Sequence, residues 1–168
     1  MTSGTDQRSP IERPPSPFTD RAGREITVGE YDGGVEPLVE MYSHFDDDSR
    51  AQGLPPRQDT RTATWLEGLL EDGLTVVARH GEDIVGHSVL IPYDGTSELA
   101  IFVRPEYQSA GIGTHLIREL LAVGKADGID HVWLSVARTN RIAMNLYKSA
   151  GFEITMRERG EYEMAREL

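Results

Sequence analysis

The stretch "SELAIFVRPEYQSAGIGTHLIRELLAVGKADG", residues 97–128, leaves this chain few choices of fold. It reads as a β-strand, a junction with two glycines one residue apart, and an amphipathic helix. A strand, "HVWLSVA", and a helix, "NRIAMNLYKSAG", follow it. Upstream, "LTVVARH" and "IVGHSVLIP" are separated by Gly81-Glu82-Asp83, a short turn suited to an antiparallel hairpin. The chain closes on two more strand-like runs, "FEITMRE" and "YEMAREL". Antiparallel strands first, then strand, helix, strand, helix, strand: the order describes an α+β domain with one central sheet flanked by helices.

The N-terminal part reads less sharply. Residues 1–22 mix Pro, Ser, Thr and charge without apolar periodicity, which predicts a flexible tail preceding a domain over 23–168. Ile26 and Val28 alternate with polar residues as a half-buried strand does. "GGVEPLVEMYSHF" reads as a helix with Pro37 in its first turn, and "DDDSRAQGLPP" breaks it. Asp46, Asp47 and Asp48 lack the glycine and spaced ligands of a calcium loop and read as a solvated helix end. "TRTATWLEGLLEDG" is a short helix with Trp65, Leu66, Leu69 and Leu70 on one side.

Composition narrows the function. A net charge of −11 argues against a nucleic-acid binder. No apolar run reaches membrane-spanning length and no secretory pattern opens the chain, so a cytoplasmic protein is expected. There is no cysteine, and the five histidines are scattered, so no metal site is supported. Lys125 and Lys148 are the only lysines. Abundant acid with scarce lysine resembles proteins of salt-loving organisms, where the screening length falls to ~3 Å at 1 M salt.

The junction is suited to an anion. A helix's first turn offers unpaired N–H groups at the positive end of its dipole, and glycines admit a phosphate close to the backbone. A dinucleotide fingerprint fails because Leu116 stands where its third glycine belongs. A P-loop fails because Thr114 and His115 follow Gly113 without a lysine.

"VRPEYQSAGIGTHL" resembles the coenzyme A loop of the GNAT (Gcn5-related N-acetyltransferase) family, matching at Val103, Pro105, Tyr107, Gln108, Gly111, Ile112, Gly113 and Leu116. The block "TNRIAMNLYKSAGF" resembles the family's second signature, matching at Asn140, Ala143, Leu146, Tyr147, Gly151 and Phe152. The resemblance spans roughly residues 24–168. It implies the GNAT fold, a mixed and mostly antiparallel sheet of about six to seven strands with about four helices. It also implies an N-acetyltransferase that moves the acetyl group of acetyl-CoA directly to an amine, small-molecule or protein. Family members are often dimers, and a homodimer is the expectation by analogy.

In this reading, backbone N–H groups of Gln108, Ser109, Ala110, Gly111, Ile112, Gly113 and Thr114 hold the pyrophosphate. Phe102 and Val103 pair with the pantetheine amides as a further strand does, aiming an N–H at the thioester oxygen. Asn140 and Tyr147, seven residues apart, share a helix face beside the thioester arm, with Tyr147 protonating the departing thiolate. Asn140 is also suited to cap its helix, and a tyrosine at 147 also fits core packing on Phe152. The base that takes the ammonium proton is left among Glu98, where several family members carry a carboxylate, His87 and a water chain. Acceptor choice falls to "MYSHFDDDSRAQGLPPRQ" and the loop at Tyr93–Thr96. Two readings compete: a non-catalytic acyl-CoA sensor acting through a partner, and a nucleotide-binding regulator.

Overall fold

In the computed structural model, residues 11–45 and 59–168 are described. Residues 1–10 and, within the acceptor segment "MYSHFDDDSRAQGLPPRQ", everything from the aspartates Asp46–Asp48 to Gln58 lie outside them.

Eight strands, counted among the described residues, form one sheet in the order β1-β2-β3-β4-β5-β6-β8-β7. They are β1 (Phe18–Thr19), β2 (Glu25–Glu30), β3 (Leu74–His80), β4 (Asp83–Tyr93), β5 (Thr96–Val103), β6 (His131–Ala137), β7 (Glu153–Arg157) and β8 (Glu161–Glu167). Four α-helices accompany them among the described residues: α1 (Glu36–Tyr42), α2 (Asp59–Asp72), α3 (Ile112–Ala126) and α4 (Arg141–Ser149). The sheet holds one strand more than the upper sequence expectation. The addition is β1, from the segment whose composition predicts a tail. Phe18 pairs with Ile26 and Thr19 with Glu25, while Pro14 and Asp20 are buried. Prolines and serines hid this strand because it is two residues long and held by what it packs against.

Each strand pair is antiparallel except β5–β6. Those two strands are linked through α3, and such a crossover returns the chain in the same direction. Helices cover both faces. Leu116, Ile117 and Leu120 of α3 and Tyr147 of α4 join Leu99, Val132 and Leu134 in the larger core. Leu38, Met41 and Tyr42 of α1 and Leu66 of α2 form a second cluster on the other face with Val77, Ile84 and Phe102. Alternation along β5 follows: Leu99, Ile101 and Val103 face α3, so Glu98, Ala100 and Phe102 face the α1–α2 side.

Leu116 is fully buried in the larger core. Leu116→Ala is expected to cost about 2–5 kcal/mol in guanidinium unfolding at fixed salt, because the rigid sheet beneath α3 collapses little into the cavity.

Candidate functional site

β5 and β6 pair at only two positions, Ser97 with Val132 and Glu98 with Trp133. β4 follows β5 for its whole length, from Tyr93–Thr96 to Gly86–Val103. Beyond Glu98 and Trp133, therefore, β5 and β6 separate, and among the described residues the β6-facing backbone edge of residues 99–103 pairs with no strand. Because the two strands are parallel, α3 and α4 both begin at the end where the sheet opens. Ligands of α/β sheets gather at such a divergence.

The glycine junction stands at that end. Pro105–Tyr107 form a 3-10 turn, and Gly111 precedes α3 with φ +92°. This left-handed conformation favours glycine over residues with a Cβ. Ser109 adopts φ +61°, a second left-handed residue in the loop. No side chain caps α3, so the N–H groups of Ile112, Gly113 and Thr114 open the helix as free donors. Gly113 has another reason to be glycine: a Cβ there would stand 3.3 Å from Leu146 Cδ2 and 4.0 Å from Ile101 Cδ1. Its small size lets α4 and β5 close on the start of α3.

The expected run of donors is shortened at one end. The Gln108 N–H donates to the Pro105 carbonyl at 3.3 Å, and its side-chain amide donates to the Val103 carbonyl at 3.0 Å. Gln108 thus braces the turn rather than offering its own N–H. Tyr107 is a brace too, its hydroxyl 2.7 Å from His80 Nδ1 and its ring under Arg24 at 4.0 Å.

Asn140 caps α4, its side-chain oxygen accepting from the Ala143 N–H at 3.1 Å. Tyr147 lies in the larger core at 8 % exposure, edge-on to Phe152 with ring centroids 6.1 Å apart. Burial pushes its phenol up to about 12, so it is a held proton at neutral pH. Both bland alternatives for these residues are therefore physically present.

Glu98 occupies the last paired position of β5 before the strands part, on the α1–α2 side. It is half-buried, and the loss of water raises its carboxyl pKa above the ordinary range. Near it lies a recess lined by Tyr93, Asp94, Thr96, His131, Trp133 and Glu163. The Tyr93 and Trp133 rings meet edge-on at 5.9 Å, and the Trp133 indole donates to Thr96 Oγ1 at 3.0 Å. Sequence reasoning named the Tyr93–Thr96 loop, but Trp133 and Glu163 arrive from β6 and β8. Only the sheet register brings them there.

His87 takes a different place from the one a base needs. It is fully buried, with Nδ1 hydrogen-bonded to the Tyr42 hydroxyl at 2.7 Å. Burial lowers its pKa to about 4. A neutral imidazole under α1, packed against the second core and away from solvent, is poorly placed to take a proton from an incoming amine. Among the described residues no group of histidines and carboxylates has metal-binding geometry.

Comparisons with known proteins bear on the family and the fold. The profile of the acetyltransferase (GNAT) family matches residues 38–152. The [ribosomal protein bS18]-alanine N-acetyltransferase of Escherichia coli K12 is 31% identical over 111 residues, covering 66% of this chain and 73% of the relative. In structure, the GNAT domain of S. lividans PAT superposes with a TM-score of 0.77 at 19% identity, over 90% of this chain and 95% of that one. The paia N-acetyltransferase of Thermoplasma acidophilum, solved in complex with coenzyme A, gives 0.65 at 21% identity, over 84% and 99%. At these identities the structures establish the fold.

The buried His87 has a thermodynamic consequence. Its folded pKa of about 4 lies below the ordinary 6.5, so the unfolded chain takes up the proton first. Its contribution to stability is complete above pH 6.5 and is lost as pH falls toward 4. Unfolding free energies measured across that window are expected to fall with acid, and less steeply in His87→Gln.

Proposed function

Since the chain belongs to the GNAT acetyltransferase family and is an acetyl-CoA-dependent N-acetyltransferase acting on an amine, we propose that the divergence of β5 and β6 is where its thioester reacts. The observation that carries this is the two-pair limit of the β5–β6 ladder, with the free helix start of α3 beside it. Pantetheine lies along the open edge of β5 at Phe102 and Val103, extending the sheet. Ser109, Ala110, Gly111, Ile112, Gly113 and Thr114 hold the pyrophosphate.

Tyr147 and Glu98 are divided between the two faces of the sheet. Tyr147 packs on the α3 side with Leu99 and Leu134, while Glu98 alternates onto the α1–α2 side. A thioester in the gap between the strands meets both. The amine enters from the α1–α2 side, where Glu98 takes a proton from the ammonium, directly or through water. The freed amine attacks the thioester carbonyl, a C–N bond forms, and the C–S bond breaks. Tyr147 serves the departing sulfur as a hydrogen-bond donor; its phenol, buried to a pKa of about 12 against ~8.5 for a free thiol, keeps its proton at neutral pH and stabilises the thiolate as the C–S bond breaks.

For the acceptor, the recess of Tyr93, Asp94, Trp133 and Glu163 suits a cation, with two aromatic rings and two carboxylates in its lining. The Escherichia coli relative is named for acetylating an alanine of a ribosomal protein. A peptide with an N-terminal alanine is therefore the first acceptor to try. The acidic, lysine-poor composition supports a cytoplasmic setting in a salt-loving organism.

The test is release of free thiol from acetyl-CoA with alanine-initiated peptides and with pools of small amines, in low and molar KCl. With no cysteine in the chain, a thiol dye sees only the coenzyme. Amine-dependent release is expected, and acetyl-CoA binding without release from any acceptor would favour the sensor. Tyr147→Phe is expected to lower kcat by ~10²-fold with the KM for acetyl-CoA little changed. Glu98→Gln is expected to remove the acidic limb of the pH–rate profile. That limb lies above the ordinary carboxylate value of 4.5, since burial raises this group. An unchanged profile assigns the proton to water.

A further inference from the structure

The loop that takes the pyrophosphate carries no cation of its own. Residues 108–114 are Gln, Ser, Ala, Gly, Ile, Gly and Thr, in a chain of net charge −11 facing a polyanionic coenzyme. Two nearby arginines are already engaged. Arg104 Nε pairs with Glu106 at 3.1 Å and its Nη2 reaches His44 Nδ1 at 3.2 Å. Arg24 Nε pairs with Asp20 at 2.8 Å.

A turn far away in sequence brings an arginine beside this loop. The turn Asp20–Arg24 is seated against the loop by several contacts. The Arg21 N–H donates to the Ala110 carbonyl at 3.0 Å, one residue before Gly111. Arg24 donates to the Glu106 carbonyl at 3.2 Å and lies over the Tyr107 ring. Just before the turn, Phe18 stacks on His115 in the first turn of α3, with centroids 3.5 Å apart. The turn itself is rigid. The Asp20 side chain is fully buried and accepts from the N–H groups of Ala22 at 3.0 Å and Arg24 at 2.9 Å. Burial alone raises a carboxyl, but these bonds and the Arg24 charge outweigh it and hold Asp20 below its usual value. Arg21 is thus fixed by its backbone beside the loop, exposed, with no ion pair to its side chain among the described residues.

Resting on the coenzyme assignment above, we infer that the Asp20–Arg24 turn is a second wall of the coenzyme site, in which Arg21 supplies the cation for the phosphates of acetyl-CoA. A guanidinium matches two phosphate oxygens at once, and its fixed hinge at Ala110 limits the freedom lost on binding. The position lies outside both motifs.

The experiment is calorimetric titration of acetyl-CoA into the wild type, Arg21→Gln and Arg21→Lys, from low salt to molar KCl. At low salt Arg21→Gln is expected to raise Kd by roughly 3–10-fold, the range for a charge-assisted contact at an exposed site. The gap closes as salt screens the charge, and Arg21→Lys, which keeps the charge but loses the two-point match, falls between the wild type and Arg21→Gln. Titration of 3′-dephospho-CoA identifies the partner: a penalty that vanishes points to the ribose phosphate, one that persists to the diphosphate. Either supports the inference. An Arg21→Gln protein that binds like the wild type at every salt concentration overturns it, as does a loss of affinity insensitive to salt. A wild type that fails to bind acetyl-CoA overturns the coenzyme assignment, and this inference with it.

Discussion

Two residue pairs hold β5 to β6, and nearly everything of interest depends on their stopping there. A sheet interior normally uses every backbone donor and acceptor, since unpaired groups away from water are costly. Here one strand is paired along its full length to β4 and left open on its other edge beyond Glu98. The opening is held from both sides by packed helices rather than by strand pairing. Gly113 lets Leu146 of α4 press against the start of α3, and Ile101 of β5 meets the same point. An extended amide chain laid in the gap completes a ladder that the protein leaves unfinished.

Electrostatics sets the second constraint. An acidic protein that binds an anionic coenzyme works against its own net field. The helix start of α3 supplies partial positive charge locally, where it is least screened. The Asp20–Arg24 turn adds to it without altering the loop, because the buried Asp20 neutralises Arg24 and leaves Arg21 exposed. On the opposite face, carboxylates at Glu98, Asp94 and Glu163 create a field of the other sign. The sheet thus separates a wall suited to phosphates from a recess suited to an ammonium.

Much of this was legible in the residues, and the failures have a common cause. Strand and helix order followed from periodicity, and Gly111 from its place between strand and helix, because those signals are local. Tyr147 was legible as one member of a spaced block. What escaped depends on residues far apart in the chain. Trp133 joins Tyr93 and Thr96 only through sheet register. His87 reads as a candidate base until Tyr42, 45 residues away, seals it in a core. β1 looks like a tail because its prolines and serines describe composition and not what it packs on. The loop motif points to a phosphate contact by Gln108, whose N–H in the structure donates to the Pro105 carbonyl. A motif shows that a residue matters and leaves open which of its atoms does the work.

The central claim is that acetyl-CoA finishes the open edge of β5. Amide hydrogen exchange with and without saturating acetyl-CoA reads that edge directly. Slowed exchange is expected at Leu99–Val103 and across Gly111–Thr114, with β2 and β3 unchanged. Coenzyme binding that leaves those two segments as fast as in the free protein would contradict the account, and would place the thioester elsewhere.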